Sequence, residues 1–297
     1  MRRQVTIFGC RVDALTMLEA VEAVGHWIER ADGRCRYVVT PNVHHTVMYQ
    51  WHEGLRAAYA SAGLVLADGM PLVWASRLLR RPLPQRVAGS DLVPAVFDRF
   101  RDRGLRVYLL GAAEGVGRRA AANIERRWPG IRVTGVFSPP LGFEREAAKN
   151  EEILARMAAA GAELLVVGLG APKQELWVHA HQSRIAAPVA LCVGATIDFL
   201  ADHKPRAPRW MRESGLEWLH RLASEPRRLF GRYAHDAWFF TLLLVRELFR
   251  PGHPAAALPD AVAPPEARSL SAANAIAPAG AAQEGLSWET VQSSPSR

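Results

Sequence analysis

Seven short β-rich runs, six of them each followed by an amphipathic stretch, dominate the chain from Gln4 to Ala195. The runs are "QVTIFGCRV", "CRYVVTPN", "GLVLADG", "RVYLLGA", "IRVTGVF", "ELLVVGLGA" and "APVALCVGA". Between them lie "TMLEAVEAVGHWIERA", "TVMYQWHEGLRAAYASA", "SDLVPAVFDRFRDRG", "GVGRRAAANIERRWPG", "EREAAKNEEILARMAAAGA" and "PKQELWVHAHQSRI", whose apolar residues recur at helical spacing. Near-continuous Val/Leu/Ile strands alternating with helices predict a mostly parallel sheet covered by helices on both faces, an α/β fold. In such sheets ligands sit beyond the carboxyl ends of the strands, so the residues just after each run are the site candidates.

Charge narrows the partner. The net charge is +8 and the pI about 10.0, which points to an anionic ligand: a nucleotide, a lipid diphosphate, a phospholipid surface or nucleic acid. The positive charge is spread along the chain, with one notably basic stretch near the end of the ordered-looking part. From Lys204 to Arg232 eight Lys/Arg face three Glu, a local net of +5, with Trp210 and Trp218 among them. Arg221, Arg228 and Arg232 are seven and four apart and share one helical face if that stretch is a continuous helix. Cys10, Cys35 and Cys192 are odd in number and contain no CxxC, which predicts a reducing, cytoplasmic setting without structural zinc. The N-terminus has no apolar segment of signal-peptide type, and "AWFFTLLLV" is far short of the ~20 residues that span a bilayer. From Pro251 to Arg297 the composition turns to Ala, Pro and Ser, the pattern of a disordered tail. This divides the chain into a core over 1–203, an Arg/Trp-rich helical segment over 204–250 and a tail over 251–297.

The strand ends supply the chemistry. In "GLGAPKQE" glycines allow close backbone approach to a ligand, and the opening N–H groups of the next helix favour an anion. Gly170, Lys173, Gln174 and Glu175 are therefore taken as substrate-binding candidates, against the plainer alternative of a strand-to-helix turn. "ADGMP" places Asp68 after the third run, where it is either a reactive carboxylate or an N-cap ahead of Pro71. "TPN" contributes Thr40 and Asn42, or a turn. "LGAAEGVG" lacks the order of GxGxxG. His44–His45 and His179–His181 have no third ligand at suitable spacing, Asp198 and Asp202 form no DxD, and no GxSxG is present, so no metal and no cofactor is expected.

Taken in order, "TPN", "DGMPLVW", "RVAGSDL", "VYLLGA", "GAPKQELW", "GATIDFLADHKPRAP" and "GLEWLHRLASEPRRLFGRY" closely resemble the WecG/TagA/CpsF family of glycosyltransferases, over about Val5 to Phe249. The resemblance implies a Rossmann-like α/β core with a C-terminal helical appendage that associates with membranes and completes the active site. It implies inverting transfer of N-acetylmannosamine, its uronic acid, glucose or a similar sugar. It further implies a UDP-sugar donor and a polyprenyl-diphosphate-linked acceptor, at the inner face of the plasma membrane, in synthesis of exopolysaccharide, capsule or teichoic-acid-type polymers. Asp68 matches the family's proposed general base, Thr40 and Asn42 polar residues of its pocket, and Arg86 and Gln174 active-site residues. Arg221, Arg228 and Arg232 fall in its C-terminal Arg-rich stretch. Ala195 and Thr196 depart from its pattern of Gly and a bulky apolar residue.

The chemistry agrees: an attacking hydroxyl must lose a proton to a carboxylate, and arginines can balance a departing diphosphate. A Rossmann-type oxidoreductase is disfavoured because no GxGxxG follows the first run, and a nucleic-acid binder because no recognised module accompanies the charge. Sugar identity, acceptor and homo-oligomer formation stay open.

Overall fold

A computed structural model describes residues 3–249; the Ala/Pro/Ser tail read from the sequence lies outside the described residues. The chain opens with an antiparallel hairpin, β1 (Gln4–Ile7) and β2 (Cys10–Asp13). "QVTIFGCRV" reads as one strand, and the structure corrects this. The chain reverses at Phe8 (φ 51) and Gly9 (φ 80), the positive-φ pair of a two-residue hairpin turn. Gly9 is the usual residue for that conformation and Phe8 is not, so the turn carries only half of its sequence signal. What compensates is burial: Phe8 is 1% exposed and packs edge-to-face on Phe240 at 5.2 Å.

The main sheet has six strands: β3 (Arg36–Val39), β4 (Leu64–Val65), β5 (Arg106–Gly111), β6 (Arg132–Phe137), β7 (Leu164–Gly168) and β8 (Val189–Cys192). Their order is β4-β3-β8-β7-β5-β6, and every neighbouring pair is parallel, as the continuous apolar runs predict. Register decides which side chains meet which helices. Leu164 and Val166 face one layer while Leu165 and Val167 face the other, the period-two alternation of a strand buried on both sides.

One layer is built from α1 (Met17–Arg30), α5 (Gly89–Phe100), α6 (Val116–Arg127) and α9 (Thr196–Leu200). The other is built from α2 (Val43–Tyr49), α3 (Glu53–Ser61), α4 (Met70–Leu78), α7 (Ala147–Ala160) and α8 (Lys173–His181). Helix α1 buries Ala20, Val21, Val24 and Ile28 and is fixed at its start by a capping box between Thr16 and Glu19. "TVMYQWHEGLRAAYASA", read as one helix, is two. His52 breaks it by capping α3, its Nδ1 accepting the Leu55 N–H at 3.1 Å. An imidazole is an uncommon cap, which hid the break.

The C-terminal segment forms α10 (Arg209–Glu213), α11 (Glu217–Ser224) and α12 (Pro226–Phe249). It is not one continuous helix. Gly215 (φ 80) separates α10 from α11, and Pro226, which disfavours helix at the residue before it, starts α12 anew. Arg221 therefore lies on a different helix from Arg228 and Arg232, and the single arginine face does not form. Helix α12 buries Phe239, Phe240 and Leu243 in the core cluster on the α2 side, with Trp51 edge-to-face on Phe239 at 5.3 Å.

Candidate active site

The chain leaves β3 toward α2 on one face and leaves β8 toward α9 on the other, which opens a crevice at the carboxyl edge of the sheet. Asn42 and Asp68 line it with Thr40 and Pro41 buried beneath, the loop after β8 joins them, and α11 reaches it through Glu217. Two backbone bonds set the walls: the Asp68 N–H donates to Pro41 O at 2.7 Å, and the Val87 N–H donates to Ala67 O at 2.8 Å. The second bond lays Arg86 beside Asp68.

Asp68 does not cap α4. The N-cap is Gly69, with no side-chain hydrogen bond, at φ 149, a conformation that side chains rarely adopt. The chain thus turns sharply just after Asp68 and leaves its carboxyl free to face the crevice. Surrounding protein pushes its pKa up to about 6 through burial, even though 30% of the side chain stays accessible at the mouth. Arg86 and Arg221 oppose that rise, and Glu217 and Asp91 add to it.

Arg86 is the hub. Its Nη1 lies 3.8 Å from Asp68 Oδ1 and 3.2 Å from Glu217 Oε2, and its Nη2 lies 2.7 Å from Asp91 Oδ2. Asp91 also accepts from Arg206, and from Arg212 at 2.9 Å. Arg221 stands 3.9 Å from Glu217 and stacks over the Phe199 ring at 5.4 Å, with Arg206 at the same ring. Beyond Arg206 a cavity of about 270 Å³ continues between α5 and α9, lined in part by Trp128, Phe199 and Lys204.

Of the residues singled out by sequence, Asp68, Arg86 and Arg221 come together. Asn42 lies on the crevice wall; its Oδ1 accepts the His45 N–H at 3.2 Å, which makes it the N-cap of α2. Thr40 is buried, its hydroxyl donating to Cys192 O at 3.3 Å and tying β3 to β8. Gln174 and Glu175 point inward rather than into the crevice. Gln174 Oε1 accepts the Gly194 N–H at 3.1 Å while its Nε2 donates to Glu175 Oε1 at 2.8 Å. Glu175 is fully buried, its Oε2 has no hydrogen-bond partner among the described residues, and burial pushes its pKa up to about 7. The pair shapes the floor under the loop that follows β8. Gly170 (φ 79) has open space where a side chain would stand.

Lys173 turns to Glu144 at 3.3 Å and to the Phe143 ring, a group separate from the Arg86 hub. Arg232 is exposed and lies over its neighbour Tyr233 at 5.7 Å; the side chain of Arg228 lies outside the described residues. Asp91, Arg206, Arg212 and Glu217 were not singled out by sequence. Asp91 and Glu217 sit inside "RVAGSDL" and "GLEWLHRL", and their signal was a carboxylate within a strongly basic context. His44, two residues past Asn42, binds the buried Asp236 of α12 at 3.0 Å and pins that helix to the crevice wall. Among the described residues no three His, Cys, Asp or Glu side chains form a group suited to a metal ion.

The sequence profile described as the Glycosyl transferase WecG/TagA/CpsF family matches residues 5–254. The chain belongs to this family. Two similar proteins are both named N-acetylglucosaminyldiphosphoundecaprenol N-acetyl-β-D-mannosaminyltransferase. The one from Bacillus spizizenii is 30% identical over 192 residues, covering 65% of this chain and 72% of that protein. The one from Staphylococcus aureus is 28% identical over 226 residues, covering 76% of this chain and 87% of that protein. As a WecG/TagA/CpsF member the chain is a glycosyltransferase, which sets aside the oxidoreductase and nucleic-acid alternatives. The family match runs through α10, α11 and α12, so these helices are part of the shared unit.

Proposed function

We propose that this glycosyltransferase moves a sugar from a UDP-sugar to a hydroxyl of a polyprenyl-diphosphate-linked acceptor, with inversion at the anomeric carbon. The observation that carries the reading is Asp68, a carboxyl held near pKa 6 at the carboxyl edge of the sheet with arginines beside it. The acceptor oxygen attacks the anomeric carbon, its proton passes to the Asp68 carboxylate, and the bond to the diphosphate breaks with its electron pair leaving on UDP. Arg86 and Arg221 offset the charge that develops on the leaving group. Asn42 lines the approach. The similar proteins are named for transfer of N-acetylmannosamine to an N-acetylglucosaminyl-diphospho-undecaprenol, and that pair heads the donor and acceptor candidates.

A lipid-linked acceptor stays in its bilayer, so the enzyme must come to it. Among the described residues no helix is long and apolar enough to cross a membrane. Trp210, Trp218 and Leu219 are exposed beside arginines on α10 and α11, and Trp238, Leu242, Val245 and Phe249 are exposed on α12. This composition suits lying on an anionic inner leaflet. A radiolabelled UDP-sugar assay on short-chain polyprenyl-diphosphate acceptors, with the product anomer assigned by NMR, tests the reading. Transfer with inversion supports it, and retention of configuration or no transfer with any such donor overturns it.

A further inference from the structure

The C-terminal segment brings a carboxylate, as well as arginines, to the crevice. Glu217 opens α11 with its side chain 18% exposed, and its two oxygens serve two arginines: Oε2 lies 3.2 Å from Arg86 Nη1 and Oε1 lies 3.9 Å from Arg221 Nε. Arg86 is thereby shared among three carboxylates at unequal distances. Asp91 takes Nη2 at 2.7 Å, Glu217 takes Nη1, and Asp68 is left 3.8 Å away, beyond hydrogen-bond reach. Asp91 cannot accept the freed arm of Arg86 without competition, since Arg206 and Arg212 already occupy its other oxygen. Without Glu217, the other carboxylate beside Nη1 is Asp68, 3.8 Å away.

That distance matters for a base. A carboxylate in direct hydrogen-bonded contact with a guanidinium loses basicity by one to three pH units, roughly. A carboxylate that takes a proton in the transition state needs that basicity. We propose that Glu217 is a positioning residue that draws Arg86 away from Asp68 and holds Arg221 over the same crevice, so that seating α11 prepares the base. The inference rests on the reading of Asp68 as the general base.

Among the described residues, four charged groups act most strongly on Asp68. Arg86 and Asp91 come from the loop before α5 and from α5 itself, and Glu217 and Arg221 from α11. From the loop after β3 the Pro41 carbonyl accepts the Asp68 N–H. The Glu217 charge raises the Asp68 pKa, and the guanidinium it restrains lowers it. Both consequences of losing Glu217 act in one direction: removing its charge and releasing Arg86 each make Asp68 a weaker base.

The test is the pH profile of kcat/KM for Glu217→Gln in the full chain, with a UDP-sugar and a short-chain acceptor. The acid limb is expected to move down by about one pH unit and the plateau rate to fall several-fold, as a weaker base requires. Glu217→Asp, shorter but still charged, should show a smaller shift in the same direction. A loss of rate with the limb unmoved would mean that Glu217 only anchors α11, and the proposal would fall. Should Glu217→Gln not fold, a carbon-13 titration of the Asp68 carboxyl in wild type and Glu217→Asp decides the point; equal midpoints overturn it. Asp68→Asn separates the two levels. If that variant keeps full turnover, the base reading itself has failed. If it is dead while Glu217→Gln leaves the limb in place, only the role of Glu217 is lost.

Discussion

The Arg86 guanidinium stops 3.8 Å short of the Asp68 carboxylate, close enough to stabilise its charge and too far to share its proton-accepting oxygen. Burial dominates over that cation and sets the Asp68 pKa at about 6. Asp68→Asn is therefore expected to cut transfer by roughly 10²–10⁴-fold, the usual cost of losing a general base. In wild type, kcat/KM should fall on the acid side of about pH 6, where Asp68 takes up a proton. The stability effect has the opposite sense. A carboxyl with a raised folded pKa favours the fold when protonated, so its contribution declines as pH rises from about 4 toward about 6. The Asn variant should be at least as stable as wild type at pH 7 in thermal melts. Near-normal turnover in a folded Asp68→Asn protein would remove Asp68 from the mechanism.

Glu175 allows the same logic to be tested away from the crevice. It is fully buried, one oxygen has no hydrogen-bond partner among the described residues, and its pKa is pushed up to about 7. Between the ordinary carboxylate range and about pH 7 the folded chain holds a proton that the unfolded chain has released, so stability falls as pH rises through that window and levels above it. Glu175→Gln has no proton to lose. Relative to wild type, its melting temperature should gain between pH 5 and pH 7.5, with little further change at higher pH. Parallel melting curves across that range would mean that Glu175 ionises as easily in the fold as in solution.

Much of the architecture was legible because its signals are local. Leu164 to Val167 announce a strand buried on both faces, and Ala20, Val21, Val24 and Ile28 announce a helix stripe. The hairpin at Phe8–Gly9 and the break at His52 were hidden because Phe8 is not a usual turn residue nor His52 a usual cap, and tertiary packing holds Phe8 in place while the Leu55 N–H engages His52. At the site, Asp68, Arg86 and Arg221 could be named from motifs that carry the family resemblance. Their grouping with Asp91, Arg206, Arg212 and Glu217 could not be read, because it depends on how α10 and α11 fold back across α5. Gln174 and Glu175 show the converse: a polar pair that looks exposed in "GAPKQE" is turned inward by the Gly194 N–H.

Under the proposed reading, transfer is expected to proceed without a divalent cation, since Arg86 and Arg221 are cations beside Asp68 that can offset the charge of a departing diphosphate. Turnover in EDTA should equal turnover in Mg²⁺ or Mn²⁺. A rate that vanishes with chelator and returns with metal would point to a missed ligand set, beginning with Asp198. Asp202 is a weaker suspect because Arg127 already holds it at 2.7 Å.

The membrane reading needs a test that leaves the fold intact. Deleting everything after Asp202 would strip Phe239, Phe240 and Leu243 from the core and remove Asp236 from His44, so loss of function in such a protein would be uninformative. The outer face of α12 offers a cleaner handle. Trp238, Leu242, Val245 and Phe249 recur at four, three and four residues, share one helical face, and are 64%, 41%, 46% and 81% exposed. Replacing Trp238, Leu242 and Val245 together with Gln removes apolar area without touching the buried side. Even partial insertion of such side chains is worth about 1 kcal/mol each, so the triple variant should lose well over tenfold in binding to anionic vesicles. Wild-type binding should weaken with salt, because each arginine near an anionic surface adds about 1 kcal/mol that ions screen. The variant should still glycosylate a soluble short-chain acceptor at the wild-type rate while failing on the long-chain lipid in vesicles. Unchanged vesicle binding by the triple variant would show that this face is not the docking surface and would direct attention to Trp210, Trp218 and Leu219.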